Sequence, residues 1–198
     1  MQTETLNHCH VKEERAWLFR SEDTQTTEDE YLHLLHALVY CLKPVSVLET
    51  GAFKGFGTAF MAKALKRNGL GRVTSVECAH PAVEWAVENL RVNGVSDWAT
   101  VVEADSIDFL THTERTFDFA LFDSQLPLRY KELKLCLDRK LLHAGDMCAF
   151  HDTSKLRTIS PGTPDPQTAT LWRELEGEGR IKFVEFPYSR GLVLAQVL

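Results

Sequence analysis

The sequence predicts an α/β fold: a doubly wound, mostly parallel seven-stranded sheet with helices on both faces and a C-terminal antiparallel hairpin. Three observations predict it. The hydrophobic period switches between strand and helix five times with short connections, and right-handed crossovers then place helices on the faces of a parallel sheet. Within residues 45–58 an apolar strand ends in a carboxylate, breaks into a glycine-rich turn and restarts as a helix. Two β-rich runs, 181–186 and 191–197, lie four residues apart, which suits an antiparallel hairpin on the sheet edge. At 198 residues the chain can bury one good-sized core. The expected division is an N-terminal arm or partial lid over 1–26 and a single domain over 27–198.

Taken in order, residues 1–26 are polar, rich in His and Glu, and without a sustained period, although Ala16, Trp17, Leu18 and Phe19 make a short apolar hook. Thr27 and Glu30 form a T-x-x-E capping box. Tyr31, Leu35, Leu38 and Leu42 then fall at helical spacing until Pro44 stops the run. Strands are expected over 45–48, 72–76, 99–102, 117–122 and 146–150, with helices over 56–67 and 81–93 among the segments between them. Pro81 sits where a first helical residue should, and Gly94 where a helix C-cap should. Residues 154–167 form a Pro-rich stretch past a strand's carboxyl end, where open α/β sheets bind ligands, and are a candidate substrate lid. A helix over 168–176 leads into the hairpin.

Composition narrows the function. With 22 Lys and Arg against 28 Asp and Glu the net charge is −6, and no long basic block occurs, so neither nucleic acid nor an anionic membrane surface is the expected partner. A small uncharged or cationic molecule fits better. No stretch approaches the ~20 apolar residues that span a bilayer, and the first residues lack the basic and apolar regions of a signal peptide; the expected location is cytoplasmic. The five cysteines, Cys9, Cys41, Cys78, Cys136 and Cys148, are scattered and never paired as C-x-x-C, which supports free thiols rather than disulfides or a structural zinc site.

The turn after the first strand exposes the amide groups of a helix N-terminus, and its glycines let a ligand approach without meeting a Cβ. Gly51, Gly55 and Gly57 read G-x-x-x-G-x-G, not the G-x-G-x-x-G of a dinucleotide cradle. That order points to a smaller nucleoside ligand. Glu49 adds a negative charge that repels a pyrophosphate and attracts a cationic or amine-bearing group. The plain alternative is an ordinary βα turn with glycines chosen for steric reasons. Nearly every predicted strand ends on the same side in an acid: Glu49, Glu77, Glu103 with Asp105, Asp123 and Asp152. One such acid is usually a helix N-cap, and Asp105 before Ser106 fits that description. Four or five in register are better explained by a shared crevice, where Glu77 can accept both hydroxyls of a ribose and Asp105 can meet an adenine amino group.

The segment Leu48-Glu49-Thr50-Gly51 with Gly55, Gly57 and Thr58, then Glu77, Asp105 and the run Phe117 to Asp123, resembles the successive motifs of class I S-adenosylmethionine-dependent methyltransferases. The later stretch from Leu141 to Asp146, ending at His151-Asp152-Thr153, is similar to small-molecule O-methyltransferases, relatives of the catechol and caffeoyl-coenzyme A enzymes. The resemblance covers about 28–198 and implies a Rossmann-like methyltransferase fold. It implies that Gly51, Ala52, Phe53, Gly57 and Thr58, with Glu49, hold the methionyl part of S-adenosyl-L-methionine. Glu77 would take the ribose, Asp105 and Ser106 the adenine side, and Asp123 would lie near the methionine end or the reaction centre; Cys78, a small side chain after the strand-end Glu77, is a candidate to line the same pocket.

In the metal-dependent branch of that family an acid after the fourth strand and an acid-amide pair after the fifth hold Mg²⁺. By resemblance these are Asp123 and the pair His151-Asp152, which also become the candidate catalytic residues. The match departs in two places: the pair is His-Asp rather than Asp-Asn, and Leu126 stands where a lysine is expected, with one extra residue before Tyr130. Coordination by His151 would favour Mn²⁺, Fe²⁺ or Zn²⁺ over Mg²⁺; without any metal, His151 is a candidate general base. The expected function is O-methylation of a small hydroxylated metabolite. Two alternatives stand beside it: a nicotinamide-dependent oxidoreductase, and a cofactor-binding protein of this fold without turnover. A homodimer through Trp17 and Phe19 is also open.

Overall fold

The computed structural model describes residues 27–153, 158–160, 163–164, 168–186 and 190–198. The expected N-terminal arm, most of the 154–167 stretch and Cys9 lie outside the described residues. Within 154–167 a short antiparallel pair, Thr158–Ser160 with Thr163–Pro164, is described.

The strands are β1 Ser46–Thr50, β2 Arg72–Glu77, β3 Ala99–Glu103, β4 Phe119–Phe122, β5 Met147–His151, β6 Ile181–Phe186 and β7 Leu192–Val197. The helices are α1 Asp29–Leu42, α2 Phe56–Asn68, α3 His80–Val92, α4 Ser106–His112, α5 Leu126–Asp138 and α6 Thr168–Gly177. The strands form one seven-stranded sheet in the order β3-β2-β1-β4-β5-β7-β6. The first five run parallel, while β7 pairs antiparallel with both β5 and β6. The terminal hairpin therefore extends the sheet with β6 at its edge, as the four-residue spacing predicts.

Strand period decides which core each side chain enters. In β4, Ala120 and Phe122 join Leu110, Leu133, Phe150, Trp172 and Leu175, the cluster under α4, α5 and α6. Phe119 and Leu121 point the other way, to Leu35, Val39, Met61, Leu65 and Leu90 under α1, α2 and α3. All four β4 residues are buried, as a strand covered by helices on both faces requires. The order reverses at β1, between β2 and β4, which opens a crevice at the strands' carboxyl ends.

One local expectation is overturned. The first helix is capped by Glu28, whose side chain makes no cap hydrogen bond, and the Thr27–Glu30 capping box does not form. Both Thr27 and Glu28 have other partners, at the mouth of that crevice.

Candidate active site

The carboxyl ends of β1, β2, β4 and β5 and the segment after β3 surround one cavity of about 970 Å³, in the range that holds a ligand of nucleoside size or larger. Of the residues expected from the sequence, Glu49, Gly51, Ala52, Phe53, Gly57, Glu77, Cys78, Asp105, Ser106, Asp123, His151 and Asp152 all line it. Thr58 does not; it is buried behind Glu49. Glu103 faces away and accepts a hydrogen bond from His80 at 2.8 Å on the exposed surface.

The glycine turn is shaped by its neighbours. Gly51 has φ +85°, and a Cβ there would stand 2.6 Å from the carbonyl oxygen of Asp123, so this residue lets β1 and β4 end side by side. A Cβ on Gly57 would run into Glu49 Oε1. Gly55 packs on Ala86 of α3 rather than against the cavity. Phe53 is held at φ 46° with its N–H donated to Glu77 Oε2 at 2.9 Å. A non-glycine residue in that conformation is uncommon and is kept here by a specific bond, at the wall of a binding site.

Glu49 is 2% exposed and accepts hydrogen bonds on Oε2 from the Thr58 and Ser75 hydroxyls. Burial pushes its pKa up to about 7, against the lowering effect of those two bonds, and the charges of Asp123 and Glu77 add to the rise. The turn thus carries an acid poised to ionise when a cationic group arrives. Glu77 closes β2 and also accepts from the Ala79 N–H at 2.9 Å. Asp105 caps α4 through the Asp108 N–H at 3.0 Å, the capping role, and lines the cavity as well. Behind it Glu132 of α5, fully buried, accepts from Ser106 on Oε1 and from Thr50 and Ser124, each at 2.8 Å, on Oε2. Three segments of cavity wall are tied to one carboxyl group.

The end of β5 carries a cluster of charges. His151 Nε2 meets Glu28 Oε2, and His151 Nδ1 lies 3.3 Å from Asp123 Oδ1. Tyr31 stacks on the imidazole with ring centroids 4.5 Å apart. Arg129 is 6% exposed and donates from Nε to the Ser124 carbonyl at 2.6 Å, from Nη1 to the His151 carbonyl, and from Nη2 to Asp123 Oδ1 at 2.9 Å. Arg190, 4% exposed, grips Asp152 through Nε to Oδ1 at 2.6 Å and Nη2 to Oδ2 at 3.1 Å, with Glu28 Oε1 at 3.6 Å from Nε. Asp152 sits at φ 59°. Burial works to lower the His151 pKa, but Asp123 and Glu28 outweigh it and raise it. Burial would likewise raise Asp123, yet His151 and Arg129 hold it below the usual carboxylate range. Asp123 lines the cavity, and its Oδ2 accepts from the Thr27 hydroxyl at 3.5 Å while Arg129 and His151 meet Oδ1.

A divalent ion is tested by this donor set. Asp123, His151 and Asp152 each offer one atom, and these atoms lie within 4.8 Å of one another, so the three are brought together as the resemblance implies. The set does not suit a resident ion. Asp123 Oδ1 and both Asp152 oxygens already accept from guanidinium N–H groups, and both imidazole nitrogens face carboxylates.

Thr27, Glu28, Tyr31, Arg129, Glu132 and Arg190 were not singled out for the site from the sequence. Glu28 and His151 are 123 residues apart and meet only in the fold. The one local signal was the acid and the arginine of α5, three residues apart on a helix whose neighbours Leu133 and Cys136 are core.

Residues 48–153, more than half of the chain, match the family described as "Methyltransferase domain". The chain belongs to that family. Among solved structures it resembles an O-methyltransferase from Bacillus cereus in complex with SAH, with 20% identity, 88% of this chain and 84% of that one covered, and a TM-score of 0.72. SAH-bound PaMTH1 from Podospora anserina has 17% identity, 93% and 86% coverage and a TM-score of 0.76. TomG from Streptomyces achromogenes, an O-methyltransferase of tomaymycin synthesis in complex with SAM, has 22% identity, 89% and 82% coverage and a TM-score of 0.71. These likenesses establish the Rossmann-like methyltransferase fold. No curated protein matches the sequence. No helix among the described residues is long and apolar enough to cross a membrane. The family match disfavours the nicotinamide alternative.

Proposed function

We propose that the protein transfers a methyl group from S-adenosyl-L-methionine to a hydroxyl of a small metabolite. The observation that carries this is the convergence of Glu49, Glu77, Asp105 and Asp123 on one cavity beside the glycine turn. Glu49 and the 51–57 turn receive the cationic methionyl end. Glu77 presents Oε1 and Oε2 to the ribose while its backbone bonds keep the turn in place, and Asp105 and Ser106 border the adenine. Two of the three neighbours described above were solved with SAH and one with SAM, which supports the same donor here.

The bound sulfonium supplies an already activated methyl group, so the protein's task is to aim the acceptor oxygen in line and take its proton. Asp123 lines the cavity, and its Oδ2 is the acceptor for that proton; its other oxygen is fixed by Arg129 and His151. His151, with both ring nitrogens facing carboxylates, orients Asp123 and is a positioning residue rather than a base. The acidic balance of the chain supports a small-molecule substrate over nucleic acid. Free Cys41, Cys78, Cys136 and Cys148 suit a reducing cytoplasm.

Calorimetric titration with S-adenosylhomocysteine tests the reading: saturable binding is expected, and none at high ligand concentration removes it. Glu77→Ala should weaken that binding by about tenfold or more, since hydrogen bonds to a charged group contribute roughly 1.5–3 kcal/mol. Unchanged affinity would remove the ribose assignment. Mass spectrometry of reactions with phenols, catechols and sugars separates the enzyme from a protein that binds the donor without consuming it.

A further inference from the structure

We propose that the guanidinium groups of Arg129 and Arg190 take the place of a divalent ion in this site, so that the protein excludes metal and works without it. The catalytic half of this inference rests on the methyltransferase reading above; the binding half does not.

Among the described residues, three carboxylates, Glu28, Asp123 and Asp152, face the guanidinium groups of Arg129 and Arg190 and the His151 ring within one buried cluster. Glu132, the acid nearest on α5, has its oxygens taken by three hydroxyls. A divalent ion among Asp123, His151 and Asp152 would bring two more positive charges beside the Arg129 and Arg190 guanidinium groups in a site of low dielectric, where like charges repel most strongly. It would also have to displace N–H donors: Arg129 Nη2 stands 2.9 Å from Asp123 and 3.7 Å from Asp152, so one guanidinium edge already bridges the two carboxylates. Arg190 holds both oxygens of Asp152 as a fork, the geometry in which a guanidinium matches a carboxylate best. The arrangement does the structural work of an ion, tying the ends of β4 and β5 together and fixing Asp123 at the cavity wall. It does not act as a Lewis acid. Among the described residues the acceptor's proton is then left to Asp123, which restricts acceptors to hydroxyls that give up a proton readily, such as phenols and enols.

The test titrates Mn²⁺ against the full-length protein and follows the free-ion signal by electron paramagnetic resonance. Wild type should leave that signal undiminished up to about 1 mM, the weak end of specific binding. Saturable loss of signal at lower concentration overturns the proposal. Arg190→Gln, checked for folding by circular dichroism, should gain Mn²⁺ binding by tenfold or more because a pair of oxygens is released. A folded variant as silent as wild type would show that the arginines are not what keeps the ion out. The initial rate of transfer should be unchanged by a chelator, and a drop of tenfold or more would overturn metal independence. Failure to bind S-adenosylhomocysteine would remove the functional reading and leave the Mn²⁺ result to decide this one.

Discussion

Gly57 is the residue where sequence and site constrain each other most tightly. It lies in the first turn of α2, where alanine is intrinsically favoured by about 1 kcal/mol. Its missing Cβ is the space Glu49 Oε1 uses, while Leu121 Cδ2 stands 3.4 Å away on the other side. Gly57→Ala must therefore push a carboxyl group that two hydroxyls hold and that has nowhere buried to go. Overpacking of this kind costs about 1–3 kcal/mol, which outweighs the propensity gain. Urea denaturation should show a net loss of about 1 kcal/mol, and S-adenosylhomocysteine affinity should fall with it because the displaced carboxyl group enters the cavity. A more stable variant with intact binding would mean that Glu49 has room to move.

At the scale of elements, α1 is attached to the catalytic end of the sheet by its cap. Glu28 precedes the helix, yet its side chain bonds to His151 and lies beside Arg190, while Tyr31 one turn later stacks on the same imidazole. Removing one partner from a buried ion pair typically costs 3–5 kcal/mol. Glu28→Ala is expected to destabilise the fold by about 3 kcal/mol. It should also lower the pKa of His151, because burial opposes the imidazolium and Glu28 is one of the two acids that outweigh it. Nuclear magnetic resonance titration of the His151 ring checks this; an unmoved pKa would leave Asp123 as the sole counter-ion. This contact shows where sequence reading stops. Thr27 and Glu30 have the spacing of a capping box and Glu28 has no pattern at all, since its partner is 123 residues away. Strands were legible because a parallel sheet imposes a local period on β1 to β5, and Glu49, Glu77 and Asp123 were legible because each ends a strand. Arg129, Glu132 and Arg190 owe their roles to tertiary contacts; helical spacing puts Arg129 and Glu132 on the core face of α5 with Leu133 and Cys136 but names no partner, and Arg190 has no local mark at all.

For the whole molecule, the site makes stability depend on pH in a direction that can be worked out. Glu49 has a folded pKa of about 7 against an ordinary 4.5, chiefly through burial. The folded chain therefore holds that proton more tightly than the unfolded chain does. Its contribution is fully present below about pH 4.5 and is lost as pH rises towards 7, by about 3 kcal/mol at most. Glu132 is also raised by burial and acts in the same sense. Asp123 and Glu28, both lowered, act oppositely: their stabilisation is present above the ordinary carboxylate range and is lost on acidification. His151, raised, stabilises below its ordinary value and loses that contribution as pH climbs through the folded one. The net curve mixes these terms, so the informative quantity is the difference between wild type and Glu49→Gln. That difference should favour the variant increasingly from pH 5 to pH 7.5 in denaturant midpoints. The same linkage predicts a proton released when a cationic ligand binds near pH 6.5, read by calorimetry in buffers of different ionisation enthalpy. A buffer-independent heat and a flat difference curve would together mean that Glu49 is ionised before any ligand arrives, and the turn would then be a standing anion rather than an acid that ionises on binding.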